Sequence, residues 1–286
     1  MGRFARSWQL MKASVDVLMH ERKLLVFPLV SGICLLLIMA SFALPMAWSV
    51  GLFASSPQIR IDPDAIHLGW YAILFVFYVV EYGIAFFFNT ALVCAALEHL
   101  DGGHPSVRGS LAKAWSKWPQ ILGFALISAT VGVFLRAIEE RLGLIGRFVI
   151  GLVGMAWSVV TFLVAPILAA TDAGPVDAVK DSANMLKRTW GENLVGAVGL
   201  HAFTFVAVLA WMLSVAVLVV AAVAAKSVAL FVLTVVLAMV GIVLISLVQS
   251  ALRGVYSAAL YRYATTGEVG GRFDTELMEQ AFRRRK

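Results

Sequence analysis

Apolar residues in this chain fall in long uninterrupted runs, separated by short polar stretches that are mostly basic. Six runs carry almost no charge: residues 24–54, 68–97, 118–135, 148–171, 193–225 and 227–252. Their lengths are 31, 30, 18, 24, 33 and 26 residues, and about 18 apolar residues are enough for a helix to cross the hydrocarbon core of a bilayer. Runs that are apolar all round have no aqueous face to present. The pattern predicts an all-α, polytopic membrane protein with six transmembrane helices.

The stretches ahead of the first, third and fifth runs are patterned differently. Apolar and small residues recur at helical spacing, as in Phe4, Trp8, Met11, Val15 and Leu18. Three segments align on a serine: Ser14-Val-Asp-Val-Leu-Met-His-Glu-Arg-Lys, Ser110-Leu-Ala-Lys-Ala-Trp-Ser-Lys-Trp-Pro and Ser182-Ala-Asn-Met-Leu-Lys-Arg-Thr-Trp-Gly. Each is basic and amphipathic, is expected to break about eight or nine residues after the serine, and then enters a spanning helix. Such a helix lies in the interface, with its apolar side in the acyl boundary and its lysines toward phosphate. The expected architecture is one membrane domain, 1–286, built from three repeats of an interfacial amphipathic helix plus a transmembrane hairpin. The units run over about 3–97, 105–171 and 175–263, with a short basic tail at 264–286. Duplication and a common membrane-insertion constraint both account for the weak similarity between them.

The connections are too short to house a soluble domain, the longest on the side away from the termini being Ser55 to His67. Asp101-Gly102-Gly103 and Ala173-Gly174-Pro175 are turn signals. Arg136 and Glu140 are spaced for an ion pair on one helix. Among the prolines within runs, Pro45 and Pro166 are the candidates for kinks, because a proline frees a backbone carbonyl.

Composition agrees with the pattern: 61% of residues are hydrophobic and 14% charged, against about 45–50% apolar and a quarter charged in soluble domains. That excludes a soluble enzyme, a disordered chain and a disulfide scaffold. The net charge of +6 follows topology rather than nucleic-acid binding. With six alternating spans, 18 of the 23 Lys and Arg residues fall on the side that holds both termini. Arg60, Arg136, Arg141, Arg147 and Lys226 fall on the other. The bias places both termini in the cytoplasm, and makes the bilayer and its anionic phospholipid headgroups the expected partners, with no nucleic acid. No cleavable signal peptide is expected, since the first run begins at Leu24 and is too long for a signal core. Cys34 and Cys94 lie in spans with no metal or redox spacing and read as packing residues.

Glu81 is the sharpest polar feature, thirteen residues into the second run, or roughly 20 Å below one surface of a ~30 Å core. His201 lies eight residues into the fifth run, roughly 12 Å above the opposite surface by the same arithmetic. The two depths nearly coincide, so a Glu81–His201 pair with Thr204 one turn on is the candidate intramembrane polar site. A proton or cation relay and a packing hydrogen bond with Glu81 protonated are both open. Ser246, Gln249, Arg253 and Ser257 recur at spacings of three and four, forming a polar stripe toward the cytoplasmic end of the sixth span. That stripe reads as a hydrogen-bonded helix contact or as the mouth of a water-filled path. Glu98, His99, Asp101 and His104 cluster in a Gly-Gly turn, but without a second ligand segment they read as a solvated turn rather than a metal site. Gly151-x-x-Gly154 offers close helix approach, not a phosphate loop. No catalytic set stands at working spacing and no cofactor is indicated.

Several phrases carry a family resemblance: Leu135-Arg136-Ala137-Ile138-Glu139-Glu140-Arg141, Gly174-Pro175-Val176-Asp177-Ala178-Val179-Lys180-Asp181-Ser182, Thr189-Trp190-Gly191-Glu192 and Leu260-Tyr261-Arg262-Tyr263-Ala264-Thr265-Thr266-Gly267. The chain resembles a family of bacterial six-span integral membrane proteins catalogued as a domain of unknown function, most strongly from about Leu97 to Phe282. At Asp172 it carries an aspartate where that pattern has a glutamate, a small departure. The resemblance implies a fold and the bacterial inner membrane, and no activity. A structural, interaction or lipid-organising role is expected. The alternative is an oligomeric channel or transporter using Glu81 and His201; an enzyme is not expected.

Overall fold

The computed structural model describes residues 14–49, 68–139 and 142–266, apart from the side chains of 46, 48–49, 68–71, 144–145 and 188–203. The connection Ser55 to His67 lies outside these residues. Among the described residues the chain is helical with no strand. Residues 14–20 form α1, followed by a 3-10 turn at Arg22–Leu25 and by α2 (Val26–Ser49), α3 (Leu68–Leu100) and α4 (Val107–Ser116). Then come α5 (Trp118–Glu139), α6 (Leu144–Val160), α7 (Val164–Ala170), α8 (Pro175–Ala224) and α9 (Val228–Thr266). Six helical stretches are long and apolar enough to cross a membrane: Arg22–Pro45, Ala72–Leu100, Trp118–Glu139, Gly146–Ala170, Thr204–Ala224 and Val228–Thr266. They match the six runs one for one.

Burial is sorted along the helices rather than around them. The second, fourth and sixth spans each contain a buried run in their C-terminal half: residues 90–96, 163–168 and 251–261, the last interrupted only by the exposed Arg253. Elsewhere large apolar side chains are bare, for example Phe205 at 68%, Val217 at 67% and Met239 at 65% exposure. Apolar surface this extensive is incompatible with water and matches a lipid environment.

The chain divides into two compact units. One comprises residues 29–94 and 106–184. In it α3 and α5 run antiparallel along a seam of aromatic and small residues. Phe86 packs on Phe124 with ring centroids 4.3 Å apart, and a side chain on Gly83 would meet Ala125 and Trp118. Pro175 at the head of α8 sits so close to Gly123 that an added Cβ would lie 2.8 Å from its ring. The other unit comprises residues 1–28, 95–105 and 185–286. There the 3-10 turn packs on α9, and Leu24, Phe27 and Leu100 are almost fully buried. The hairpin of α8 and α9 turns through Lys226 in the left-handed conformation. It is closed by Trp211, whose indole N–H donates to the Ala238 carbonyl at 3.3 Å and whose ring occupies the space beside Gly241.

The serines on which the three amphipathic segments align, Ser14, Ser110 and Ser182, are each 0% exposed. The expected break after each serine occurs twice. It falls at the 3-10 turn ahead of Pro28 and at Lys117 ahead of Pro119. The third does not occur, because α8 is continuous from Pro175 to Ala224. The physical difference is proline. Lacking an N–H, proline is best accommodated in the first turn of a helix, and so favours a new start at Pro28 and Pro119. No proline follows Pro175 in α8, and a glycine such as Gly191 costs about 1 kcal/mol without ending the ladder.

Of the two kink candidates, Pro45 is carried inside α2. Near Pro166 the fourth span is interrupted, with Thr161–Leu163 separating α6 from α7. Ser182 repairs this interruption. Its hydroxyl donates to the Val160 carbonyl at 2.5 Å, and the Leu163 N–H donates to its oxygen at 3.2 Å. Ser110 Oγ, by contrast, is buried without a hydrogen-bond partner among the described residues. Ser182→Ala therefore strands two backbone groups and should cost about 1–3 kcal/mol, whereas Ser110→Ala should cost far less. Thermal unfolding in detergent, followed by circular dichroism, checks this; equal losses would contradict the repair. Gly241→Val drives a branched side chain into Trp211 and should lower stability by about 1–3 kcal/mol in the same assay.

Candidate functional site

Two groups of polar residues carry candidate chemistry, one within the spans and one at their basic ends. Within the spans, Tyr78, Glu81 and Tyr82 lie on neighbouring turns of α3. Tyr78 and Tyr82 stack with centroids 6.2 Å apart, and Arg136 of α5 donates from Nη1 to the Tyr78 hydroxyl at 2.9 Å. Gly132 leaves room for the Tyr82 hydroxyl, which would lie 3.5 Å from a Cβ there. Glu81 flanks this seam with one carboxylate oxygen, Oε1, buried and without a hydrogen-bond partner among the described residues. The side chain of His201 lies outside the described residues, and with it the expected Glu81–His201 pair. Thr204 is half-buried on α8. Glu140, the expected partner of Arg136, also lies outside the described residues.

The stripe on α9 shares one angular face but not one environment. Ser246 and Arg253 are exposed, Gln249 is half-buried, and Ser257 is 3% exposed and donates to the Gly254 carbonyl at 2.9 Å. The reason is axial: α9 passes from a largely bare stretch into its buried run near residue 251.

At the basic ends, α4 is short and amphipathic because its caps and composition leave little choice. Ser106 caps its start by accepting from the Gly109 N–H at 3.0 Å. Ser110 and Ala114 are buried, while Arg108, Lys113 and Trp115 are exposed. Where α4 meets α5, Trp115 and Trp118 stack with centroids 5.8 Å apart, and Phe87 meets both edge-on. Trp115 remains 66% exposed. Tryptophan beside lysine at a span terminus is the composition of the headgroup level.

Lys117, between α4 and α5, was not singled out by sequence, yet it anchors the end of the fourth span. Its ammonium donates to the Thr171 carbonyl at 2.8 Å and pairs with the Asp172 carboxylate. A cation there satisfies a terminal carbonyl of α7 and complements the helix dipole. The expected solvated turn at 98–104 is only partly so. Asp101 is 67% exposed but pairs with Arg262, and His99 is tucked to 20% exposure with Nδ1 3.9 Å from Glu21. Of the cluster Glu98, His99, Asp101 and His104, His99 and Asp101 meet residues far away along the chain, Glu21 and Arg262.

A family model described as "Family of unknown function (DUF6159)" matches residues 68–271. The match begins at the first residue of α3 and ends just beyond α9, so it takes in every element but the first span and its lead-in. No curated protein and no solved structure matches the chain.

The hydrogen bond from Lys117, and then its charge, hold the Asp172 carboxyl below its ordinary value of 3.8. A carboxyl depressed on folding contributes stability above its unfolded value, and loses it as pH falls through the folded one. The advantage of the wild type over Asp172→Asn should thus be constant from neutral pH down to about pH 5 and shrink below 3.8. A pH series of thermal midpoints tests this; an advantage that grows on acidification would contradict the pairing.

Proposed function

We propose that this chain, which belongs to the Family of unknown function (DUF6159), is a non-catalytic, lipid-organising protein of the bacterial inner membrane. Its basic segments gather anionic phospholipid headgroups around a six-span helical body, with both termini cytoplasmic. The observation that carries this reading is α4, with its buried Ser110 and Ala114, its exposed Arg108 and Lys113, and the stacked Trp115–Trp118 pair at its end. A helix so placed holds two cations and an aromatic anchor at one level. Each basic residue near an anionic surface contributes about 1 kcal/mol.

Trp115 supplies the test. In vesicles, brominated phosphatidylglycerol should quench its fluorescence, taken as wild type minus Trp115→Phe, more than brominated phosphatidylcholine does. Arg108→Gln with Lys113→Gln should reduce that preference by several-fold, as should high salt. Equal quenching by both lipids would contradict a headgroup-gathering role.

A second reading, an oligomeric channel or transporter, is favoured by two observations. The fourth span is interrupted within buried surroundings, where irregular backbone is tolerated because protein rather than lipid encloses it. The Oε1 of Glu81, without a hydrogen-bond partner among the described residues, lies within the second span. In proteoliposomes this reading expects a cation or proton flux that Glu81→Gln abolishes. A wild-type flux no greater than that of protein-free vesicles excludes it.

A further inference from the structure

The end of α9 holds a cation whose buried N–H donors lack hydrogen bonds among the described residues. Arg262 is 20% exposed, and its Nε and Nη1 are buried with no hydrogen-bond acceptor among the described residues. Asp101 reaches its Nη1 closely enough for an ion pair but without the alignment of a hydrogen bond. Asp101 is mostly exposed and begins the Asp101-Gly102-Gly103 turn, in which Gly102 takes a left-handed φ of 82°. A carboxylate on such a turn is a displaceable counter-ion. Two residues before it, His99 presents a second buried nitrogen without a hydrogen bond, Nδ1, and Glu21 is its nearest acid at 3.9 Å. The 3-10 turn that packs on α9 adds the exposed Arg22 and Lys23.

Buried guanidinium N–H groups ordinarily have acceptors, because leaving them bare costs the full desolvation of the group. Here the acceptor is not supplied by the described chain. The cluster stands at the C-terminal ends of the second and sixth spans, Leu100 and Thr266, where phosphate oxygens are the abundant acceptors. Arginine matches phosphate with its forked donors.

We infer that Arg262, with His99 beside it, forms a specific site for a phosphate group, that of a bound anionic phospholipid, for which Asp101 competes. This inference rests on reading the basic segments as facing headgroups. Its signature differs from that of a structural ion pair. Arg262→Gln removes the site, whereas Asp101→Asn removes the competitor and tightens it.

The test is native mass spectrometry of the full-length protein in detergent with added phosphatidylglycerol or phosphatidylcholine. The wild type should retain one phosphatidylglycerol more than Arg262→Gln, with no such difference for phosphatidylcholine. Asp101→Asn should retain it at several-fold lower lipid concentration. Should Arg262→Gln fail to fold, the Asp101→Asn shift alone decides, and weaker or unchanged retention overturns the site. Inorganic phosphate is the second probe. If it raises the thermal midpoint of the wild type but not of Arg262→Gln while no lipid is retained, the site takes soluble phosphate and the lipid assignment is overturned. If neither probe distinguishes the variants, the phosphate site is overturned. The α4 variant with Arg108→Gln and Lys113→Gln should keep this one lipid. Failure of the wider lipid-organising reading therefore shows separately, as quenching at Trp115 without lipid preference while retention still depends on Arg262.

Discussion

Hydrocarbon offers no hydrogen bonds, and this single fact shapes the chain. Every backbone N–H and C=O at membrane depth must find its partner within the protein, or lose several kcal/mol. Continuous helices meet the requirement by themselves, which is why the described residues are helical throughout the spans. The fourth span breaks the rule at Thr161–Leu163 and needs an outside donor and acceptor. Ser182 supplies both. The interruption is half-buried at Thr161 and Phe162 and leads straight into residues 163–168, which are covered along their whole length. At the far end of α7, Lys117 plays the matching part for a terminal carbonyl.

The same constraint sorts the side chains. Where spans meet other protein segments, their small and aromatic residues close up, as at Gly83, Gly123 and Gly241. Where they do not, large apolar residues stay bare and lipid covers them. Among the described residues, contacts between polar and charged side chains gather at the Tyr78–Arg136 seam beside Glu81 and at the basic ends of the helices. The ends hold most of the designed-looking contacts: the tryptophan stack of α4, the Lys117–Asp172 pair, and the Arg262–Asp101 and His99–Glu21 approaches.

What the sequence made legible was set by how local each cause is. All six spans could be read because bilayer thickness imposes a length that no soluble helix needs. The alignment on Ser14, Ser110 and Ser182 carried no statement of burial, because a helical period of apolar residues does not say what covers a small hydroxyl; all three are 0% exposed. The missing break in α8 could have been read from the absence of a proline near Gly191. Lys117 and Arg262 were counted as headgroup-facing charges and nothing more. Their partners lie 55 residues away for Lys117 and on a different span's end for Arg262, and no periodicity relates residues that distant. The α9 stripe shows the converse limit: spacing fixed its angular face, but burial changes along the helix axis.

The account depends most on the six helices crossing in alternation. Single cysteines at His104, Ala173, Ala225 and Thr266, placed in a background without Cys34 and Cys94, would be labelled with a membrane-impermeant maleimide in vesicles of fixed orientation. Positions 104, 173 and 266 should react from one side, and 225, in the turn between α8 and α9, from the other. Labelling of 225 from the same side as the rest would mean that the last two apolar helices do not cross, and the six-span body would be contradicted.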